Sequence, residues 1–193
     1  LADLATAQGL WFHIDGAIGS MASMSPSLKT LFKGMERADS LAFDLHKWGY
    51  LPYEIACVLI RDTDKHHATF ETPSPYLQSD GRGVLAGGLV FADRGPELSR
   101  SFKALKVWMT LKAEGTNKIG AVIEQNVAQA RRFATELAAI QEFVIDAPVS
   151  LNVVCWRAKP VGSSVEDQDA INRELLVHLQ ETGVAICSST MLN

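Results

Sequence analysis

Two polar motifs, each closing an apolar run, constrain this chain more than anything else in it. Leu10-Trp11-Phe12-His13-Ile14 runs into Asp15-Gly16-Ala17, and Leu41-Ala42-Phe43 runs into Asp44-Leu45-His46-Lys47-Trp48. Lys47 follows Asp15 by 32 residues (47 − 15). A third run, Ile55-Ala56-Cys57-Val58-Leu59-Ile60, comes soon after. Short apolar runs bounded by turn formers read as strands. Runs apolar on both faces predict a covered, largely parallel sheet, and hence an α/β fold. In open α/β sheets, ligands bind beyond the carboxyl ends of the strands. Both motifs fall there.

The rest of the chain alternates in the same way. Residues 1–8 read as the end of a helix stopped by Gly9. Ser25-Pro26 predicts a short helix through Phe32. Residues 70–96 hold Thr72-Pro73-Ser74-Pro75, Ser79-Asp80-Gly81-Arg82-Gly83 and Gly87-Gly88. Such turn formers predict a long loop, of a kind that is usually functional or mobile. Pro96 is expected to open a helix to about Ala113, with Leu98, Phe102, Leu105 and Met109 on one stripe. After Gly115 a longer helix is expected to about Ile140, with Ile119, Val122, Ile123, Val127, Ala130, Ala134 and Leu137 inward. Residues 143–145, 151–156 and 184–187 read as strands, and 165–182 as a helix. The expected division is a large-domain segment (1–113), a connecting helix (114–140) and part of a smaller α+β domain (141–193).

Composition removes several classes of function. The net charge is −4, and no basic stripe is visible, which argues against a nucleic-acid partner. No apolar run nears the ~20 residues that span a bilayer, so no membrane partner is expected. Cys57, Cys155 and Cys187 are odd in number and have no metal-ligand spacing. They read as reduced thiols in a cytoplasmic protein, with no metal.

The strand ends carry the chemistry. A lysine amine forms an imine with an aldehyde cofactor. A carboxylate facing a pyridine nitrogen keeps that nitrogen protonated, so the ring can accept electrons from a breaking bond. Lys47 and Asp15 together describe two ends of one cofactor, pyridoxal 5'-phosphate. Each also has a plainer reading: a surface lysine at a strand end, and an aspartate capping the turn Gly16-Ala17-Ile18-Gly19. Ala17 is small enough for a flat ring to lie against it. His13 shares a sheet face with Asp15 and reads equally well as a satisfied core histidine. His66, His67 and His178 read as surface residues.

His13-Ile14-Asp15-Gly16-Ala17 with Asp44-Leu45-His46-Lys47-Trp48 resembles the group II pyridoxal-phosphate decarboxylases, which act on aromatic amino acids, glutamate, histidine or cysteine sulfinate. Ala38-Asp39-Ser40, Cys57-Val58-Leu59-Ile60 and the stretch from Arg100-Ser101-Phe102 to Lys106-Val107-Trp108 extend the likeness over most of residues 1–157. The resemblance implies the fold type I architecture of aspartate-aminotransferase-like enzymes. It implies that Lys47 carries the Schiff base, that Asp15 pairs with the ring nitrogen, and that Ala17 touches the ring. It sets His46 beside the cofactor, near the reacting carboxylate or the phosphate. Tyr76 falls where the family often has a loop tyrosine that donates a proton after carbon dioxide leaves, reaching the partner subunit's site. Relatives with Phe there tend towards oxidative deamination. The implied enzyme is a homodimeric carboxy-lyase acting on an amino acid. Another enzyme of the same fold, a lyase or desulfurase, and a non-catalytic dimerisation or binding piece are the alternatives.

Two departures bear on that reading. Some members carry Asn near the cofactor phosphate where this chain has Asp44, and a carboxylate would repel a phosphate dianion. Either Asp44 turns to backbone donors or the phosphate is held elsewhere. The family chain is also at least about twice as long, and the likeness begins in its middle. The expectation is a fragment that lacks the phosphate-binding turn and most substrate contacts, is inactive alone, and needs a partner subunit or an N-terminal chain.

Overall fold

A computed structural model of the chain describes residues 1–71, 82–83, 86 and 90–191. Tyr76 and most of the loop expected at 70–96 lie outside the described residues. The chain divides into two compact units, Leu1–Ile123 and Glu124–Asn193, so the break falls inside its longest helix.

Three strands organise the first unit: β1 (His13–Asp15), β2 (Ser40–Asp44) and β3 (Ala56–Ile60). They form one sheet in the order β1-β2-β3. β1 runs parallel to β2, with Asp15 opposite Ala42. β3 runs antiparallel to β2, with Asp44 opposite Ala56. The sheet is therefore mixed rather than largely parallel. Only 11 residues separate Asp44 from Ala56 (44 to 56), too few for the dozen or more that a parallel crossover needs. The strands are also less covered than their composition predicts. β1 and β3 hold only exposed and half-buried residues, and only Ser40 in β2 is buried.

The core of this unit lies around the sheet ends instead. Met21, Ala22, Leu28, Ala38, Leu45, Trp48, Leu51 and Ile55 are buried there. Helix α1 (Ala2–Gln8) ends at Gly9 in the left-handed conformation, as the sequence predicts. The helix expected from Ser25-Pro26 is instead a 3-10 turn, Lys29–Phe32, after another at Gly19–Met24. Helix α2 (Thr63–Phe70) is capped by Asp62, whose side chain accepts from the Asp64 and Lys65 amides.

Helix α3 (Lys103–Ala138) is interrupted at Gly115, which adopts φ 74°, ψ 156°. Its start is seven residues later than Pro96 suggests (96 to 103), since a 3-10 turn at Phe91–Arg94 and irregular chain come first. Leu98, Phe102, Leu105 and Met109 are exposed. Beyond Gly115 the inward stripe holds for Ile119, Ile123, Val127, Ala130 and Leu137, all buried; Val122 is exposed. Gly120 sits so close to the chain at Met24 that a Cβ would lie 2.5 Å from the Met24 carbonyl oxygen.

The second unit pairs β4 (Phe143–Ile145) antiparallel with β5 (Trp156–Ala158) and adds helix α4 (Val165–Glu181). Trp156 meets the rings of Phe133 and Phe143 edge-on, at 6.3 and 5.6 Å between centroids. Asn172 on α4 bonds both the amide and the carbonyl of Ala158. The strand predicted at 184–187 is irregular chain, with Val184 and Ile186 largely exposed. An apolar run becomes a strand only when its backbone groups find a neighbouring strand, and these have none among the described residues. The same holds for most of 151–156, where only Trp156 is extended into a ladder.

Candidate active site

Because β1 and β2 are parallel neighbours, their carboxyl ends share one edge of the sheet. Two hydrogen bonds carry the ladder past the end of β1: Gly16 N–H to Ala42 O at 2.8 Å, and Asp44 N–H to Ala17 O at 3.2 Å. A Cβ at Gly16 would stand 2.7 Å from Ser20 Cβ, so only glycine fits. The motif Asp15-Gly16-Ala17 thus meets the start of Asp44-Leu45-His46-Lys47 through the backbone.

The lysine turn is held from below. Lys47 N–H donates to Asp44 O at 3.2 Å, and Leu51 N–H donates to Leu45 O at 3.1 Å. Gly49 lies against Leu45, where a Cβ would be 2.5 Å from the carbonyl oxygen. Leu45 and Trp48 are buried at 4% and 5% exposure. With its neighbours anchored inward, Lys47 stands out of the edge, its side chain 41% exposed. Its Nζ lies 2.6 Å from Asp44 Oδ2, and the Asp44 side chain is only 19% exposed. The hydrogen bond from Lys47 to Asp44 is the main cause that raises the lysine above its ordinary value. Partial burial opposes it, and the charges of Asp44, Asp15 and Tyr53 add to it. Asp44 therefore turns to a side-chain cation, an arrangement that the sequence comparison with Asn-bearing relatives did not anticipate.

Asp15 is exposed, not buried as its apolar strand suggests. Its Oδ1 accepts from Ala17 N–H at 3.0 Å, which is the turn-capping arrangement. Among the described residues its other carboxylate oxygen has no hydrogen bond. Ala17 is half-buried. His13 is exposed and tied to β2: Ser40 Oγ accepts from Trp11 Nε1–H at 2.8 Å and is hydrogen-bonded to His13 Nδ1 at 2.7 Å.

His46 is held on three sides. Its amide donates to Ile55 O at 3.2 Å, and its Nδ1 accepts from Ile55 N–H at 3.0 Å. A backbone N–H can only donate, so the ring proton of neutral His46 sits on Nε2. The Tyr53 ring stacks on His46, with centroids 4.3 Å apart and planes 27° from parallel. Two lysines of α3 fix the segment that carries Tyr53. Lys103 Nζ lies 2.7 Å from Glu54 Oε1, and Lys106 Nζ donates to Tyr53 O at 3.3 Å. These contacts account for two positions in the stretch from Arg100 to Trp108. Sequence reasoning missed Tyr53 and the Ile55 backbone, since neither carries a motif of its own. It also missed the Asp44–Lys47 pair, which the turn between them brings together.

The residues at this edge fit an aldehyde-bearing pyridine cofactor. They offer an accessible primary amine, a carboxylate with one uncommitted oxygen, and a small side chain beside it. Comparisons with known proteins agree. The pyridoxal-dependent decarboxylase conserved domain matches residues 1–159. The chain is 33% identical over its whole length to the aromatic-L-amino-acid decarboxylase of Bacillus atrophaeus, and covers 40% of that protein. It is 30% identical to tryptophan decarboxylase 1 of Oryza sativa subsp. japonica, covering 38% of it. A crystal structure of the Oryza sativa enzyme with pyridoxal phosphate and tryptamine superposes on 99% of the chain with a TM-score of 0.87, at 29% identity and 40% coverage of that structure. The chain thus spans about two fifths of the length of the relatives it matches, and its α/β architecture is that of fold type I. On these grounds the chain belongs to the pyridoxal-dependent decarboxylase family.

Proposed function

We propose that this chain supplies the lysine and aspartate half of a site that decarboxylates an L-amino acid to an amine and carbon dioxide. When bound, pyridoxal 5'-phosphate supplies an electron sink for the bond broken at the substrate's α-carbon. The observation that carries the reading is the juxtaposition of Lys47 and Asp15 at the ends of adjacent parallel strands, close enough for the charge of Asp15 to act on the lysine. Lys47 would hold the cofactor through its amine. Asp15 keeps a proton on the ring nitrogen with the oxygen it does not give to Ala17. Ala17 leaves space for the ring. His46 offers its Nε2–H to an anionic group of substrate or cofactor, its ring held by Tyr53 and Ile55. Tyr76, which lies outside the described residues, is the proposed donor of a proton to the α-carbon.

The aromatic amino acids are the preferred substrate class in this reading, supported by the two relatives compared, an aromatic-L-amino-acid decarboxylase and a tryptophan decarboxylase. A homodimer in the cytoplasm, with a site shared between subunits, is the proposed working form. The test is carbon dioxide release from a panel of aromatic, acidic and imidazole amino acids by the complete gene product. Release from an aromatic substrate, abolished in Lys47→Ala, supports the reading. An absence of release from every member of the panel, with cofactor bound, rejects it.

A further inference from the structure

We propose that Asp44 is a positioning residue for Lys47, whose carboxylate clamps the lysine as an ammonium and keeps its lone pair out of use until the clamp opens. The inference rests on the proposed role of Lys47 and deepens it.

The geometry comes first. Nζ and Oδ2 are 2.6 Å apart, the distance of a charge-assisted hydrogen bond. Both ends are constrained. Asp44 is the last residue of β2, and its amide is bound to Ala17 O. Lys47 is fixed by its own bond to Asp44 O and by the buried neighbours Leu45 and Trp48. The pair is therefore built by the turn and not by two free surface side chains meeting. Asp44 is also mostly withdrawn from water, and a carboxylate in that position calls for a cation.

The chemistry follows. An ammonium has no lone pair and cannot attack an aldehyde carbon; the neutral amine can. Any group that stabilises the ammonium lowers the fraction of nucleophile at neutral pH. The titratable and charged groups acting on Lys47 are Asp44 on its own turn, Asp15 at the end of β1, and Tyr53 from the segment before β3. Asp44 is the one in direct contact. An Asn at the same place keeps the shape but loses the charge, so the acid makes the lysine of this chain a slower nucleophile.

The test is the pH dependence of Lys47 acetylation by acetic anhydride in the cofactor-stripped complete gene product, followed by mass spectrometry. In Asp44→Asn, labelling at neutral pH is expected to be severalfold faster, and its midpoint to move to lower pH. Asp15→Asn should move it less. Asp44→Ala removes the same carboxylate and stands in if Asp44→Asn does not fold. An unchanged midpoint in the folded variant would overturn the clamp. Borohydride trapping of pyridoxal 5'-phosphate on Lys47 judges the other reading separately. A lysine that labels as expected but never traps the cofactor sinks the proposed function and leaves the clamp intact.

Discussion

At the scale of single residues, the site is a set of small local decisions. Trp48 stands beside the candidate Schiff-base lysine, yet it is an anchor, buried under the turn and not facing the edge. Trp48→Ala should cost about 3–5 kcal/mol of stability, as for other buried aromatic truncations, measured by urea unfolding. The proposed proton donor gives a prediction of another kind. With Tyr76→Phe in air, the products should shift from amine towards aldehyde, with dioxygen consumed and ammonia and hydrogen peroxide released, read by chromatography of the reaction with an accepted substrate. An unchanged product ratio would remove Tyr76 from the mechanism. That Asp15 and Lys47 fall at or just beyond strand ends was legible, because each follows an apolar run. The exposure of Asp15 was not legible, because burial depends on what lies over the sheet edge and not on the strand that leads to it.

At the scale of elements, the chain is held by contacts between pieces far apart in sequence. The link from α3 to the segment before β3 runs through Lys103 and Glu54, and the lysine holds the Glu54 carboxyl below its ordinary value of 4.5. A carboxyl with a lowered value in the fold contributes stability above 4.5 and loses it as pH falls through the folded value. Lys103→Met should therefore melt slightly earlier than wild type at neutral pH, with the difference closing below pH 4.5. The pair is exposed, so the effect is small. Helix α4 begins with a capping box, in which Ser164 and Asp167 bond each other's amides. Ser164→Ala should lower stability by about 1 kcal/mol. Gly120→Ala should cost about 1–3 kcal/mol through its clash with the Met24 carbonyl, although alanine is the better helix former. A neutral or stabilising Gly120→Ala in thermal melts would refute that close approach.

The stripe on α3 shows where element reasoning succeeds and where it stops. Ile119, Ile123, Val127, Ala130 and Leu137 follow the helical period and are buried. Leu98, Phe102, Leu105 and Met109 are as apolar and are exposed. Periodicity states that a face is apolar; what covers that face is a separate matter. Runs 151–156 and 184–187 failed as strands for a related reason, since extended chain needs a partner for its hydrogen bonds.

At the scale of the whole molecule, the division between the two compact units falls within one long helix, between Ile123 and Glu124. Among the described residues no helix is long and apolar enough to cross a membrane. The break at Gly115 was readable from a glycine between two periodic stretches. The order of strands was not: composition suggested a largely parallel sheet, and the short connection after Lys47 made β3 antiparallel. What the sequence by itself determined is which candidate groups the chain carries and their order along it. The motifs Asp15-Gly16-Ala17 and His46-Lys47 lie at the ends of apolar runs because strand ends are where polar groups can stand. What only the tertiary structure decided is which of those groups touch. Parallel pairing of β1 with β2 set Asp15 beside the lysine turn, Tyr53 came to lie on His46, and the turn closed Asp44 onto Lys47. Contacts of that kind depend on register and on connection length, and a linear pattern of residue types does not specify either.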